Sequence, residues 1–489
     1  MPAAVALVWL VAFPCQANAQ RRLEVPQFDL LPEVEVPEPP APGPRRHDPW
    51  TIVRPPEPAL PAPPPGPKQD FSPWTQCNLP QLPEDNVRFC TDVVLDDKES
   101  IERRAAAYLA RAYARERQFL SVLAIADLTD AIELDPKLAL AYYRRGALWQ
   151  RERNHDAALR DFNEALKLQP RDAALFVARG TSLRAKKNLP AAIRDFDRAI
   201  ALNKSSEAAY YERALVHLDQ GKPEAALQDL QASLKLNAKI GTTYYALGNV
   251  YRALGQKPQA QLAFDKAVQT DPTLELFVLA AKGEAYLQDG DCKAALDQLD
   301  RALKINPRSP PLLNNRAACL RKTGRFEEAI RDLNIAIAIV PNNPELFTGR
   351  GLAFLSLRER NKAQADFDLA LKVKPDFIQA LRYRGQLFLA AQDFPRATSD
   401  LERASRDASN PDVIAEYGFA LLIAGDNAGA NKQFERALQI NADHPLSVYG
   451  RGYLKRKDGD VSAGETDMVL ALRKQPEILD WLDSIGFKL

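Results

Sequence analysis

The sequence predicts an all-α fold of stacked helix hairpins. Apolar residues recur at helical spacing from residue 105 onward, on either side of a break near the fourteenth place of each unit, and the whole pattern returns about every 34 residues. One hairpin cannot bury its own apolar face, so neighbouring hairpins have to stack to form a continuous core. With 46% hydrophobic and 26% charged residues, the chain has enough apolar side chains for that core.

The first nineteen residues, 1–19, are predicted to be a secretory signal peptide. A short apolar run from Ala3 to Phe13 is followed by the small-x-small sequence Ala17-Asn18-Ala19, which is typical of a cleavage site. The segment before the run lacks Lys and Arg, so an uncleaved N-terminal anchor stays open as an alternative. Export predicts a periplasmic or secreted protein.

Residues 20–76 are predicted to be a disordered, proline-rich linker. Between Pro26 and Pro73 the chain has 17 of its 37 prolines, which lack amide donors and fix φ, so neither a helix nor a central strand is expected. Such a segment adopts an extended polyproline II conformation. It could be a tether or a docking site for a proline-recognising partner.

A connecting segment, 77–104, joins the linker to the repeats and contains Cys77 and Cys90. In an oxidising compartment these two cysteines are expected to form a disulfide, whereas in the cytosol they would be free thiols. Cys292 and Cys319, further along, could also pair or could be packed as small residues.

Eleven repeats occupy 105–478. The eighth place is always Gly or Ala, and alanine stands at the twentieth and twenty-seventh places in ten repeats each. Small side chains at the eighth and twentieth places let the two helices of a hairpin approach closely. Proline at the thirty-second place of seven repeats ends the second helix. The frames are 105–138, 139–172, 173–206, 207–240, 241–275, 276–309, 310–343, 344–377, 378–410, 411–444 and 445–478.

This pattern resembles the tetratricopeptide repeat family over about three quarters of the chain. The family's large residue at the fourth place appears as Tyr108, and its aromatic residue at the twenty-fourth as Phe162, while repeat 4 departs with Leu230 and Ser233. The resemblance implies a right-handed α-α superhelical solenoid of eleven hairpins with a concave groove for partner proteins or peptides. Residues 479–489 are expected to form a C-terminal cap helix, with Trp481 in the core.

Arginine stands at the seventh place in eight repeats, and those same eight repeats have aspartate at the twenty-third. A row of arginines could bind nucleic acid, but 65 Lys and Arg against 64 Asp and Glu leave a net charge of only +1. The matching distribution instead predicts structural ion pairs within each hairpin. Examples are Arg145 with Asp161, Arg179 with Asp195, and Arg350 with Asp366.

The resemblance also implies where a ligand would lie, because in this family the groove is lined by the second, fifth, ninth and twelfth places of each first helix. Tyrosine, asparagine and arginine at these places suit an extended peptide. The family's clamp of Lys and Asn for a C-terminal carboxylate is not found. The predicted peptide-binding residues are Tyr143, Tyr211, Tyr245, Asn249, Arg252, Asn314, Arg321 and Arg382, with Tyr449 at the same fifth place.

No catalytic motif is found in the sequence: it has no phosphate-binding glycine loop, no HExxH and no G-x-S-x-G, and its four His are far apart. The sequence therefore predicts a non-enzymatic protein with no catalytic residues, no cofactor, no metal and no nucleic-acid partner. A protein- or peptide-binding module is the first prediction. The alternative is a structural scaffold of a cell-envelope export or polysaccharide secretion complex. The sequence predicts neither the partner's identity nor the oligomeric state.

Overall fold

The computed structural model of the protein describes residues 72–77, 82–406, 409–485 and 487, and every regular element in these ranges is a helix. The predicted signal peptide and the proline-rich segment up to residue 71 lie outside them. Within the described ranges, no helix is long and apolar enough to cross a membrane. The contacts divide these residues into two compact units, one ending at Gln256 and the other beginning at Lys257.

The first unit consists of a leading helix pair, four antiparallel helix pairs and a last single helix, each packed on the next. Polar side chains begin several of the helices; in repeat 2, for example, the side chain of Asn154 accepts a hydrogen bond from the amide of Ala157. The helices are α1 Pro73–Cys77, α2 Pro83–Leu95, α3 Ile101–Arg117, α4 Ser121–Leu134, α5 Ala139–Arg151, α6 His155–Leu168, α7 Ala173–Ala185, α8 Leu189–Leu202, α9 Glu207–Asp219, α10 Pro223–Leu236 and α11 Gly241–Ala253.

The second unit begins with a single helix, contains six antiparallel helix pairs and ends in a short additional helix. A single 3₁₀ turn, Pro272–Leu274, precedes its second helix. The helices are α12 Lys257–Thr270, α13 Glu275–Gln288, α14 Cys292–Ile305, α15 Pro310–Lys322, α16 Phe326–Ile339, α17 Pro344–Ser356, α18 Arg360–Val373, α19 Ile378–Ala390, α20 Phe394–Ser405, α21 Pro411–Ile423, α22 Asn427–Ile440, α23 Pro445–Lys457, α24 Val461–Lys474 and α25 Ile478–Ser484.

Helices α3 to α24 fall two to a frame in the eleven predicted repeats, and the predicted all-α fold of helix hairpins is confirmed. The break inside each repeat is a left-handed residue at the fifteenth place. In repeat 2 this is Arg153, with φ 58°, and the next amide, that of Asn154, donates to the carbonyl of Trp149 at 2.8 Å. This bond pattern ends a helix with one residue in the left-handed region, which explains why six repeats have glycine there.

The small eighth place lets the first helix of a hairpin pack directly on a large residue of the second. A Cβ added to Gly351 would lie 2.6 Å from the ring of Phe367, so only glycine fits there without a shift. Where alanine takes the eighth place, as at Ala214, the twenty-fourth is the smaller Leu230. Phenylalanine stands at the twenty-fourth place only where the eighth is glycine, although Leu299 and Leu401 also stand opposite glycine, so the ring and a Cβ at the eighth place exclude each other.

A disulfide staples the start of the first unit. Cys77, at the end of α1, and Cys90, in α2, are both buried and joined, with their Cα atoms 4.8 Å apart. The side-chain amide of Asn86 adds a hydrogen bond of 3.0 Å to the carbonyl of Cys77. The sequence analysis expected extended chain up to residue 76, but Pro73–Cys77 is helical. Proline is compatible with this helix because it stands at the first position, where no amide donor is needed.

The C-terminal segment closes the core of the second unit. Trp481 of α25 is 8% exposed, and its ring meets that of Phe419 edge-on at a centroid distance of 5.5 Å. Phe487 also packs edge-on against Phe419, at 5.5 Å, and against Tyr453 at 5.0 Å. Phe419 and Tyr453 stand at the ninth place of their repeats, so the cap covers side chains that elsewhere line the inner face of the first helices.

Candidate peptide-binding surface

An arginine–aspartate ladder, formed by the seventh and twenty-third places, runs through both units. Arg179 donates from Nε and Nη2 to the two carboxylate oxygens of Asp195, at 2.8 and 2.7 Å, and Asp195 is buried. Such bidentate bonds fix the angle between the two helices of a hairpin. The structure forms all eight predicted pairs within their own hairpins: Arg111–Asp127, Arg145–Asp161, Arg179–Asp195, Arg213–Asp229, Arg316–Asp332, Arg350–Asp366, Arg384–Asp400 and Arg451–Asp467.

The ladder arginines also bond the preceding hairpin, which the sequence analysis missed. Nη1 of Arg213 donates to Asp197 at 2.6 Å, and Asp197 stands at the twenty-fifth place of the repeat before. In repeat 6, which lacks the arginine, Lys282 reaches Asp265 at the same place, at 2.9 Å. The sequence signal that could have predicted these bonds is a polar residue at the twenty-fifth place. The other acceptors are Thr129, Asn163, Asp300, Asn334 and Asp368.

The ladder is therefore a structural element. In Arg213, hydrogen bonds to Asp229 and Asp197 outweigh burial and raise the pKa of the guanidinium above its usual value. Because its donors are bonded inside the protein, the ladder offers little to a nucleic acid or an acidic ligand.

Tyrosines mark the inner surface of the first unit, which we define by the fifth, ninth and twelfth places of first helices α5, α7, α9 and α11. Tyr143, Tyr211 and Tyr245 stand at the fifth place and are each partly exposed. The ring of Tyr143 lies 6.2 Å from that of Phe162, which supports it from below. The hydroxyl of Tyr211 is neutral at physiological pH and can donate a hydrogen bond, and burial raises its pKa further, to about 12.

An acidic residue lies among these tyrosines. Glu212 is next to Tyr211, and its Oε2 is 3.8 Å from Nη1 of Arg184, which bonds Asp219 at 2.8 Å instead. Burial raises the pKa of Glu212 more than the charge of Arg184 lowers it. The inner surface of the first unit thus combines aromatic rings with an imperfectly paired carboxylate.

The proposed cluster of Tyr245, Asn249 and Arg252 on α11 needs a correction. Tyr245 and Arg252 are partly exposed, but Asn249 is only 6% exposed. Asn249 therefore does not present its amide to a ligand.

In the second unit, two more predicted groove residues are not available to a ligand, because one bonds a buried carboxylate and the other is itself buried. Arg382 donates from Nε to both carboxylate oxygens of Glu416, at 3.1 and 2.9 Å, and Glu416 is buried. Burial acts to lower the pKa of Arg382, but the charge and hydrogen bonds of Glu416 prevail and raise it. Tyr449 has no exposed surface at all. The sequence missed Glu416 because the partner stands in the next repeat, at a place that no motif marks.

Asn314 and Arg321, on α15, remain partly exposed. Among the described residues, the Nε of Arg321 is buried and has no hydrogen-bond partner. Burial lowers the pKa of Arg321, and the opposing influence is the phenol of Tyr383 rather than a carboxylate. In the part of the second unit that the structure describes, Arg321 is thus a cation without an acidic partner.

Models of the tetratricopeptide repeat match the sequence at residues 139–172, 177–239, 211–275, 280–344 and 348–413, which together are more than half of the chain. The chain belongs to the tetratricopeptide repeat family. A search of curated proteins finds no significant match.

Solved structures of other proteins are similar at low identity. The type IV pilus biogenesis factor PilW is 23% identical, covers 42% of this chain and 96% of its own, and has a TM-score of 0.40. Yeast Tom70 is 13% identical, covers 79% and 95%, and has a TM-score of 0.43. The Cut9–Hcn1 hetero-tetramer of the APC/C is 13% identical, covers 85% and 98%, and has a TM-score of 0.43. At these scores the likenesses carry no argument about function.

As a tetratricopeptide repeat protein, the chain is a protein–protein interaction module, and no enzyme family is indicated. Among the described residues, no group of three or more His, Cys, Asp and Glu side chains is arranged to hold a metal ion. Cys292 and Cys319 are free, buried thiols in the core of the second unit. Burial raises the pKa of Cys319 to about 12, so this thiol is unreactive at neutral pH.

Proposed function

We propose that this tetratricopeptide repeat protein is an exported, non-enzymatic interaction module that holds an extended segment of a partner protein. The segment lies along the inner surface of the first unit, on the first helices of repeats 2 to 5. One observation carries the proposal: Tyr143, Tyr211 and Tyr245 occupy the same place on α5, α9 and α11 and are all partly exposed. Partly exposed aromatic rings in a row are typical anchors for peptide side chains.

Two features support this surface over the ladder face. The ladder arginines are bonded to aspartates within the protein, whereas the tyrosines are partly exposed. The hydroxyl of Tyr211 is neutral at physiological pH and can donate to a peptide carbonyl, and burial raises its pKa further, to about 12.

The compartment is part of the proposal. A predicted signal peptide at 1–19 and a buried Cys77–Cys90 disulfide both favour export to the periplasm or beyond, because disulfides persist in oxidising compartments. We expect the mature protein to begin at Gln20. N-terminal sequencing of the protein purified from its native cells would test this, and an N-terminus at Met1 would contradict cleavage.

The binding experiment is crosslinking in the intact cell envelope followed by purification of the protein. We expect a partner to crosslink to the wild type and to be lost from a Y143A/Y211A/Y245A variant. The matched control replaces Leu168, Leu236 and Leu262, three exposed apolar residues on second helices, with alanine. Equal capture by all three proteins would contradict the proposed surface.

A second candidate function is a scaffold in a cell-envelope export or polysaccharide secretion assembly. It is favoured by two neighbouring apolar residues of repeat 1, Phe119 and Val122, which are 71% and 79% exposed. If the protein is such a scaffold, it should co-purify with a membrane assembly. The F119S/V122S variant should then no longer co-purify with that assembly, whereas Y143A/Y211A/Y245A should.

A further inference from the structure

The second unit contains a pocket that the proposed function does not use. Its volume is about 270 Å³, and its apolar walls are Leu352 and Leu355 of α17, Leu387 of α19 and Ile485 after α25. Leu352 and Leu355 stand at the ninth and twelfth places of repeat 8, the inner side of the first helix. A drug-sized ligand usually needs about 300–1,000 Å³, so this pocket fits one or two side chains rather than a whole small molecule.

Two arginines line the mouth of the pocket and are not neutralised. Arg358 and Arg360 are both exposed, and among the described residues neither forms an ion pair or a side-chain hydrogen bond. Glu359 lies between them in sequence but pairs with Lys362. This differs from the ladder, whose arginines are bonded to aspartates. The mouth therefore has uncompensated positive charge beside an apolar interior.

A third arginine extends this charge along the inner side. Arg321 of α15 has a buried Nε without a partner, and the phenol of Tyr383, which forms part of the pocket wall, is within electrostatic range of it. A guanidinium whose Nε is buried without a carboxylate beside it is costly unless something else supplies the negative charge. An acidic ligand that crosses from the pocket toward α15 would supply it.

We propose that the pocket binds one large apolar side chain of a partner segment whose adjacent acidic residues pair with Arg358 and Arg360. The occupant is thus an acidic–apolar peptide, and the inference rests on the proposed function, binding of an extended segment. A peptide is favoured over a lipid for two reasons. The pocket is too small for a long acyl chain, and its wall includes Leu352 and Leu355, at the ninth and twelfth places of a first helix, where the family's ligands lie.

The test uses the full chain and fluorescein-labelled ten-residue peptides, read by fluorescence anisotropy. Each peptide has one Leu or Phe, flanked by Asp and Glu in one set, by Asn and Gln in a second and by Lys in a third. We expect the acidic set to bind at least tenfold more tightly than the neutral set, and the advantage to shrink as salt is raised. Similar binding by all three sets would overturn the charge assignment.

Two variants locate the site. R358E/R360E should weaken binding of the acidic set at least tenfold, and A390F, which puts a ring into the pocket, should do the same. The matched control is R194E/R198E, which reverses two exposed, unpaired arginines of α8. Melting temperatures within about 2 °C of the wild type would show that the variants are folded. Unchanged affinity in either pocket variant would overturn the site.

Two further outcomes would also count against the proposal. If no peptide bound at about 1 mM, the weakest affinity that a specific anchor should show, the pocket would not be a peptide site. If dodecanoate bound while every peptide failed, the ligand class would be an anionic amphiphile instead. Neither result would contradict the proposed function, which is tested separately by crosslinking with the Y143A/Y211A/Y245A variant.

Discussion

Two glutamates at the same place of the repeat, the sixth, have different surroundings in the two units. In the first unit, Glu212 is partly exposed and its nearest cation is Nη1 of Arg184, 3.8 Å away. In the second, Glu416 is buried and accepts hydrogen bonds from Arg382 at 3.1 and 2.9 Å. The difference comes from the preceding repeat, which has Val177 at its fifth place in the first case and Arg382 in the second.

A similar contrast holds for part of the inner side of the first helices. In the first unit, the tyrosines at the fifth place are partly exposed. In the second unit, Thr348, Ala415 and Tyr449 at this place are buried, whereas Asn314 and Arg382 are partly exposed. The C-terminal cap covers part of the second unit and buries Phe419. The repeat frame therefore determines the backbone and the packing between helices, while neighbouring repeats and the cap determine which inner side chains a ligand can reach.

The largest effect is expected for Glu416→Ala. Removing the carboxylate leaves the guanidinium of Arg382 buried and unpaired, which costs about 3–5 kcal/mol. Glu212→Ala at the equivalent place should change the stability by about 1 kcal/mol or less in either direction, because its contact with Arg184 is 3.8 Å long and the residue is partly exposed. Urea denaturation of both variants measures the difference in the free energy of unfolding. An equal loss of unfolding free energy in the two variants would contradict the claim that the two glutamates have different surroundings.

Substitutions at the eighth place should instead affect the two units equally. A Cβ on Gly146 would lie 2.7 Å from the ring of Phe162, and one on Gly418 would lie 2.6 Å from that of Phe434. We expect Gly146→Ala and Gly418→Ala each to destabilise the protein by about 1–3 kcal/mol, because the clash outweighs the helical preference of alanine.

The control for this prediction adds a leucine at the twenty-fourth place, which other repeats have opposite alanine. Gly146→Ala combined with Phe162→Leu recreates the pairing of Ala214 with Leu230. A double-mutant cycle should therefore show that the double variant is more stable than the sum of the single losses. Additive losses would mean that the alanine at residue 146 and the ring of Phe162 do not compete for the same space, which would contradict the clash proposed for both units.

The parts of this protein that could be predicted from sequence are those that depend on one repeat at a time. The hairpins, the left-handed turn and the pairing of Arg179 with Asp195 each involve residues at fixed spacing, so a periodic sequence reveals them. The bond from Arg213 to Asp197 also has a periodic signal, because the twenty-fifth place is polar in most repeats. The sequence did not show that this place bonds the arginine of the following repeat; the structure shows it.

The exposure of individual inner side chains could not be predicted in this way. Arg382 was expected to face a ligand, but its surroundings depend on Glu416, which stands at a place without a motif. Tyr449 was expected in the groove because the family resemblance puts the fifth place of each first helix there, but it is buried. Its burial depends on local packing at the C-terminal end, which is not periodic. Aperiodic contacts of this kind leave no repeated signal in a sequence.

A smaller effect is expected for the buried tyrosine. The hydroxyl of Tyr449 has no hydrogen-bond partner among the described residues, and burial raises its pKa. Tyr449→Phe removes an unsatisfied polar group and should stabilise the protein by about 1 kcal/mol, whereas Tyr143→Phe on the partly exposed surface should change stability little. Thermal denaturation measures both. A destabilised Tyr449→Phe variant would show that the hydroxyl has an unrecognised partner, and would weaken the contrast between the two inner surfaces.

The smallest effect, and the one that depends on pH, is expected at Glu212. Burial raises its pKa in the folded protein above the usual 4.5, so the unfolded chain releases this proton first as the pH rises. The stability that the protonated form contributes is complete below pH 4.5 and is lost as the pH rises through the folded pKa. Glu212→Gln, which stays neutral, should therefore match the wild type near pH 4 and exceed it at pH 7, by about 1 kcal/mol or less because the side chain is partly exposed. Urea denaturation at both pH values tests this. A variant that is less stable than the wild type at pH 7 would show that the 3.8 Å contact with Arg184 is a net stabilising pair, and the two glutamates would then differ only in degree.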